Sequence, residues 1–287
     1  MSLKEFMLKD HLNKARERAF ALGQFNFSTL EQLQGIMLAS KELSAPLICG
    51  TSSGEVDFLG VAEAASLVSI MREKMNVPVF LNLDHGRDLE TIKKAIECGY
   101  DAVHFDGSHL PMEENIEITK KVVLEAHKKG VLVEGEVGKM KGESTLHDTP
   151  AEKPTLTSME KIVKFTKETE VDSIALDVGS VHGIYADAPV IDFDRIEKAK
   201  NETGCFIVLH GGSGVEEKDM REGIKRGVVK VNVNTELRAV WRDALYREMT
   251  ENKKEIVPYK ILPAAREATR EKVKKMIKLF SYEKGNI

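Results

Sequence analysis

The sequence predicts a closed (β/α)8 barrel in a single domain spanning 1–287, an α/β fold, and three observations carry that expectation. Eight short β-rich runs recur along the chain. Most are almost continuously apolar, as in Phe206-Ile207-Val208-Leu209, the pattern of a parallel strand covered on both faces. The segments between them are long enough for a crossover helix each, and eight β/α units in roughly 250 residues close into a barrel more readily than they extend an open doubly wound sheet.

At the chain start, Ser2 with Glu5 reads as a capping box opening an extra N-terminal helix, placed to cover the barrel bottom. The runs then follow as Leu22 to Phe27, Ala45 to Gly50, Pro78 to Asp84, Tyr100 to Asp106, Val131 to Val137, Val171 to Val178, Cys205 to His210 and Val228 to Val233. Capping boxes are expected at Ser28 with Glu31 and at Thr157 with Glu160. Past the eighth run Val273, Met276, Ile277 and Phe280 fall on one helical face, so the C-terminal helices include one that serves as barrel wall or subunit contact. Glycines and prolines are spread out, with no linker or low-complexity tract to divide the chain.

Composition excludes several classes of function. With 42% hydrophobic side chains among 287 residues, the chain can bury a large core and is not disordered. Lys plus Arg at 42 against Asp plus Glu at 46 gives a net charge of −4, and no basic run is long enough to track a phosphate backbone, so no nucleic-acid partner is expected. Apolar runs fall far short of the roughly 18 residues of a membrane helix, and Met1-Ser2-Leu3-Lys4-Glu5-Phe6 carries no signal-peptide block. A cytoplasmic protein without a membrane partner is expected. Cys49, Cys98 and Cys205 are scattered and unpaired in motif, which suits buried thiols.

In such a barrel the chemistry sits where the strands end. His85, His182 and His210 follow three different strands at that rim, beside several carboxylates. One histidine there is usually a hydrogen-bonded rim residue; three together form a set of neutral imidazoles that leaves a zinc position open to substrate. The other histidines, His11, His104, His109, His127 and His147, lack that placement, and His11 and His127 are expected at the surface. The turn Gly211-Gly212-Ser213-Gly214 follows the seventh strand, where barrels bind phosphate, and Gly183, Gly211, Ser213, Asn232, Asn234 and Thr235 could form an oxyanion pocket. Asp84 precedes His85; on an ideal strand the two face opposite ways, but a turning strand end lets both reach the mouth, where Asp84 is either a ligand support or an acid/base.

These residues resemble the class II, zinc-dependent fructose-bisphosphate and tagatose-bisphosphate aldolases. The likeness runs through Phe25-Asn26, Leu83-Asp84-His85-Gly86, Asp106-Gly107-Ser108-His109, Glu134-Gly135-Glu136, Val181-His182-Gly183-Ile184-Tyr185, His210-Gly211-Gly212-Ser213 and Val231 to Glu236, and covers nearly the whole chain. It implies catalytic zinc on His85, His182 and His210, with Asp106 and Glu136 as carboxylates of a second or alternative metal position and Asp84 as acid/base. It implies further that Gly183, Gly211, Ser213, Asn234 and Thr235 hold one phosphate of dihydroxyacetone phosphate, often with a monovalent cation (Na+ or K+), and that Asn232 steadies the enediolate. Asn26 and Ser52 match positions near the far phosphate. A phosphorylated sugar substrate and a homodimer or homotetramer are implied too.

Chemistry agrees: cleaving the C3–C4 bond of a ketose leaves electrons that need a sink, either a lysine Schiff base or a Lewis-acid metal. Lys230 lies within the eighth strand rather than at its end, and the histidines favour zinc. One departure concerns the loop after strand five, where the family usually carries paired glycines and a proton-donating glutamate. Here it reads Gly138-Lys139-Met140-Lys141-Gly142-Glu143-Ser144, so Ser144 takes the glutamate position and Glu143 stands one residue early. Glu143 is the expected proton donor, ahead of Asp148 and Glu152, on a mobile lid from Gly138 to Pro154. The expected reaction is cleavage of fructose 1,6-bisphosphate to dihydroxyacetone phosphate and glyceraldehyde 3-phosphate. The alternatives are a tagatose-bisphosphate or ketose-1-phosphate aldolase, or a non-catalytic aldolase-like subunit. A metal-dependent hydrolase is disfavoured by the lack of a His-x-His metal pattern.

Overall fold

The computed structural model describes residues 7–138, 142–150 and 156–281. The Ser2/Glu5 pair lies outside them. Eight parallel strands close into a barrel in the order β1 (Leu22–Asn26), β2 (Leu47–Ser52), β3 (Val79–Gly86), β4 (Ala102–Phe105), β5 (Leu132–Glu136), β7 (Ser173–Ala175), β9 (Phe206–Leu209) and β10 (Val228–Val233), with β10 pairing back to β1. All eight expected runs supply a barrel strand. A two-stranded parallel sheet of β6 (Gly142–Leu146) and β8 (His182–Ile184), which the sequence reading left as loop, stands over the mouth.

The barrel interior is layered by the period-2 alternation of strands. At the bottom Leu22, Ile48, Phe80, Ala102 and Phe206 form an apolar plug, sealed by Leu8, Leu12 and Ala15 from the N-terminal helix α1 (Leu8–Arg18). Two residues further up, Gln24, Asn82, His104, Glu134 and Lys230 make a buried polar layer. Two more bring the chain to Asn26, Ser52, Asp84, Asp106, Glu136, His210 and Asn232, at the open end. The apolar side chains of opposite parity, such as Val103, Phe105, Val133 and Ile207, face the helices and belong to the main core.

Around the barrel run α2 (Leu30–Leu43), α3 (Ser53–Leu59), α4 (Val61–Met75), α5 (Leu89–Glu97), α6 (Met112–His127), α7 (Met159–Thr169), α8 (Phe193–Thr203), α9 (Glu217–Arg226), α10 (Thr235–Glu251) and α11 (Pro258–Phe280). Val273, Met276, Ile277 and Phe280 of α11 are buried, and α11 lies against α2 so closely that a Cβ on Gly35 would meet the Arg266 carbonyl at 2.6 Å. The C-terminal helix is therefore barrel wall. Two expected caps shift by one residue. The N-cap of α2 is Thr29, which accepts the Gln32 N–H, and Gln32 Oε1 accepts the Ser28 N–H at 2.9 Å, because Gln32 and not Glu31 stands three residues past that cap. The N-cap of α7 is Ser158, one residue past Thr157. A capping pair not foreseen, Ser52 with Glu55, opens α3 at the barrel mouth.

Candidate active site

A cavity of about 310 Å3 opens at the C-terminal end of the barrel, lined among others by Ser52, Asp84, His85, Asp106, Glu136, His182, His210, Ser213, Asn232, Asn234 and Thr235. His85 reaches it because β3 turns as it ends: His85 has φ of +50°, and the β3–β4 register shifts between Leu83 and Gly86. That left-handed turn aims Asp84 and His85 into one space, at a local conformational cost of about 1 kcal/mol or more for a non-glycine residue. His182 enters from β8, with its ring centroid 5.0 Å from His85 and 5.9 Å from His210.

The tautomers follow from the neighbours. His210 Nε2 lies 2.6 Å from Glu134 Oε1, so that nitrogen carries the proton and Nδ1 presents its lone pair. Nδ1 of His85 lies 3.5 Å from both Asp106 and Glu136, which places its proton there and frees Nε2. His85 Nε2 and His210 Nδ1 then face each other at 3.0 Å. Two lone pairs so close repel unless a cation or a proton lies between them, and tetrahedral zinc would set two ligand nitrogens roughly 3.3 Å apart. The pKa directions point the same way. Burial pushes His85 down, but Asp84, Asp106 and Glu136 raise it well above its ordinary value, so positive charge is wanted at this spot. Burial and the charges of His85 and His210 push His182 down to about 3, leaving a neutral imidazole. Asp84, Asp106 and Glu134 stay ionised despite burial because histidines and Lys230 hold them below the usual carboxylate range. The residues present thus fit a divalent metal. The donor atoms that approach one another most closely belong to Asp84, His85, His104 and His210, and separately to His85, Asp106 and Glu136.

Asp84 is held from both sides: Asn232 Nδ2 donates to Oδ1 at 3.0 Å and Asn26 Nδ2 to Oδ2 at 2.9 Å. Asn26 also donates to Glu55 at 3.0 Å. Asn26 is buried behind Asp84, with its amide nitrogen donating to two carboxylates, and is not among the residues lining the cavity. Ser52 does line the cavity, with its N–H and Oγ on Glu55.

Beside the histidines, on the residues that follow His182 and His210, lies the glycine-rich cradle. Gly211 has φ of +63°, and a Cβ there would stand 2.3 Å from the Val181 carbonyl. Gly183 has φ of +108°. Ser213, Asn234 and Thr235 meet these glycines at the start of α10, a helix N-terminus suited to an oxyanion. The Gly214 N–H is already taken by Glu236 at 3.1 Å, so the remaining groups carry that role.

Several site residues were not singled out. His104, set aside with the histidines that lack the rim placement, is fully buried between His85 and His210, with ring centroids 4.6 and 5.1 Å away. It stands two residues before Asp106 on β4, and that spacing was the available signal. Lys230 donates to Glu134 at 2.5 Å, a buried pair under His210. Arg238 on α10 lines the rim and reaches Glu55 at 2.8 Å and the Ser144 carbonyl at 3.3 Å. Arg87 holds Asp106. Of the other histidines, His11 is half-buried on the Phe80 ring, His127 contacts Asp172 at 2.8 Å, His147 stacks on Tyr185, and His109 is exposed. The backbone of Glu143 belongs to β6, where Gly142 pairs with His182; its side chain, like Glu152, lies outside the described residues.

A barrel whose mouth gathers imidazoles, an ionised aspartate and a glycine-rich cradle defines an enzyme-type site with the donors for a divalent metal beside those for an oxyanion. The chain matches the family described as fructose-bisphosphate aldolase class-II over residues 7–284, and it belongs to that family. It is 39% identical over 277 residues to a fructose-bisphosphate aldolase of Staphylococcus epidermidis, covering 95% of this chain and 96% of that one. It is 37% identical to a 6-phospho-5-dehydro-2-deoxy-D-gluconate aldolase of Halalkalibacterium halodurans, with 95% of each chain covered. Among solved structures the YdjI aldolase from Escherichia coli K12 superposes with a TM-score of 0.80 at 27% identity, covering 95% of this chain and 96% of that one. The protein is an aldolase.

Proposed function

We propose that the chain cleaves fructose 1,6-bisphosphate reversibly to dihydroxyacetone phosphate and glyceraldehyde 3-phosphate, with zinc held by His85, His182 and His210. The observation that carries this is the approach of His85 Nε2 and His210 Nδ1 to 3.0 Å in the cavity that Asp84 and the Gly211 cradle also line. Bound there, zinc supplies the Lewis acidity that draws electrons towards the ketone oxygen. The protein does the rest. Gly183, Gly211, Ser213, Asn234 and Thr235 hold the phosphate next to the ketone and so fix the reacting carbons. Asp84, swung free of one amide, takes the C4 hydroxyl proton as the C3–C4 bond breaks. The Asn232 amide, already 3.0 Å from Asp84, donates to the enediolate oxygen, and Glu143 returns a proton to C3. Ser52 and Arg238 at the rim meet the anionic end of the aldehyde half. A monovalent cation beside the phosphate would find Asn234 Oδ1, a buried oxygen without a hydrogen-bond partner at the cavity wall.

The aldehyde half stays open to a second reading, because a relative named for a gluconate-derived substrate stands at nearly the same identity as those named for fructose bisphosphate. Tagatose bisphosphate and ketose 1-phosphates belong to that group of alternatives. Presence of Asp84 and all three histidines at the mouth weighs against a non-catalytic subunit. Action in the cytoplasm and assembly as a homodimer or homotetramer complete the reading; among the described residues no helix is long and apolar enough to cross a membrane, and exposed Tyr246, Met249, Ile256 and Tyr259 offer apolar surface for a second copy. The test is a cleavage assay on ketose mono- and bisphosphates and their unphosphorylated counterparts, with and without added zinc. The highest kcat/KM is expected for fructose 1,6-bisphosphate, in the zinc-loaded protein only; comparable rates on a free ketose would remove the phosphate role.

A further inference from the structure

The two donor groups at the barrel mouth share His85, so the same cavity could in principle hold one divalent ion or two. The second group consists of His85, Asp106 and Glu136. Its Asp106 is fully engaged. Arg87 Nε and a terminal guanidinium nitrogen donate to Asp106 Oδ2 at 2.9 and 2.8 Å, while Ser108 N–H and Oγ donate to Oδ1 at 3.2 and 2.6 Å. The carboxylate is buried, with a side chain 2% exposed, and a buried carboxylate requires a positive partner. Arg87 comes from the turn immediately after β3, two residues past His85, so the element that delivers a metal ligand also delivers this cation.

A count of charge gives the same result. Five buried carboxylates surround the site: Glu55, Asp84, Asp106, Glu134 and Glu136. Arg238 neutralises Glu55, Lys230 neutralises Glu134 and Arg87 neutralises Asp106. With neutral imidazoles, one divalent ion balances the remaining two charges, and a second would leave an excess of two positive charges in a largely buried site. Glu136 Oε2, 3.3 Å from His104 Nε2 and 3.5 Å from His85 Nδ1, is the carboxylate oxygen of the second group that lacks a hydrogen bond.

We infer that Arg87 is the resident cation of the Asp106 position, so that this aldolase holds a single divalent ion and Asp106 acts by orienting His85 rather than by binding a second metal. The inference rests on the metal reading of the site given above. Arg87 is a positioning residue, and its side chain, 61% exposed, can be replaced without opening the core. Replacing it with serine removes one positive charge and frees Asp106 Oδ2 to join Glu136 and a neighbouring imidazole around an ion.

The experiment titrates metal-free protein with Co2+ and with Zn2+, reads bound metal per chain after equilibrium dialysis, and follows the visible absorption of bound Co2+ as a report on its coordination. The native chain is expected to take up one equivalent, Arg87→Ser two, with a second Co2+ spectrum distinct from the first, and Arg87→Ser/Asp106→Asn one again. Two equivalents in the native chain, one in a folded Arg87→Ser variant, or two retained in the double variant would each overturn the inference. Failure of the native chain to take up any ion would instead remove the metal reading on which it rests.

Discussion

Asp84 shows how a side chain's surroundings assign its work. Both its oxygens are held by amide hydrogens from Asn26 and Asn232, so the carboxylate is fixed and ionised before substrate arrives. Asp84→Ala should therefore lower kcat by roughly 100-fold or more with metal content retained, as for a positioned acid/base; loss of metal along with rate would make it a ligand or ligand support. His182→Ala should lose bound metal and turnover together, whereas His127→Ala, far below at Asp172, should change neither. Metal analysis beside a rate assay checks both. The residues at strand ends were legible because a barrel puts its chemistry there. His104, Glu134 as a partner of His210, and Lys230 were not, because each lies one inward-facing position lower and reads as part of a strand until the layers are counted. The turn that aims His85 inward depends on a left-handed backbone at a histidine, which residue type does not announce.

Among the elements, the eight strands and the C-terminal helix followed from apolar runs and helical spacing, since burial on both faces leaves little room for another pattern. The caps missed by one residue because several hydroxyls compete at Ser28-Thr29 and Thr157-Ser158, and packing of the helix chooses between them. The strand β6 could not be read from Gly142 to Leu146 alone, because its only pairing partner is β8, beyond a helix and a barrel strand. That pairing matters for the chemistry: β6 lies beside His182, so Glu143 is carried on a segment registered to a proposed metal ligand. Glu143→Ala should abolish proton exchange at C3 of dihydroxyacetone phosphate, followed by loss of isotope from the substrate, while zinc and ligand binding persist. Normal exchange in that variant would pass the role to Asp148, Glu152 or water. The glycine-rich cradle is exacting in its backbone. Gly211→Ala places a Cβ against the Val181 carbonyl at positive φ, so inorganic phosphate and dihydroxyacetone phosphate should bind about tenfold more weakly or worse, since a loss of roughly 1.4 kcal/mol already gives that factor.

At the scale of the whole molecule the barrel is built from two opposed ends, an apolar plug under α1 and a mouth crowded with carboxylates. Without a metal that mouth is electrostatically frustrated: Asp84 and Glu136 remain ionised, Glu136 Oε2 lacks a hydrogen bond, and His85 is driven towards its protonated form. Metal loading should therefore stabilise the fold, because an ion would bind the assembled imidazoles and not the unfolded chain. At free zinc about 100-fold above its dissociation constant the native state gains ~2.7 kcal/mol. For a chain of this size that corresponds to a fall in Tm of about 4 to 5 °C on chelation. Thermal melts of the chelated and zinc-restored protein read it directly, beside an assay in which chelation abolishes cleavage and zinc returns it. The two readouts separate the roles of the ion. Loss of activity at unchanged Tm would mean that the mouth is held by its own ion pairs, Arg87 with Asp106 and Lys230 with Glu134, and that the metal serves chemistry alone. Full activity after exhaustive chelation would end the zinc mechanism altogether.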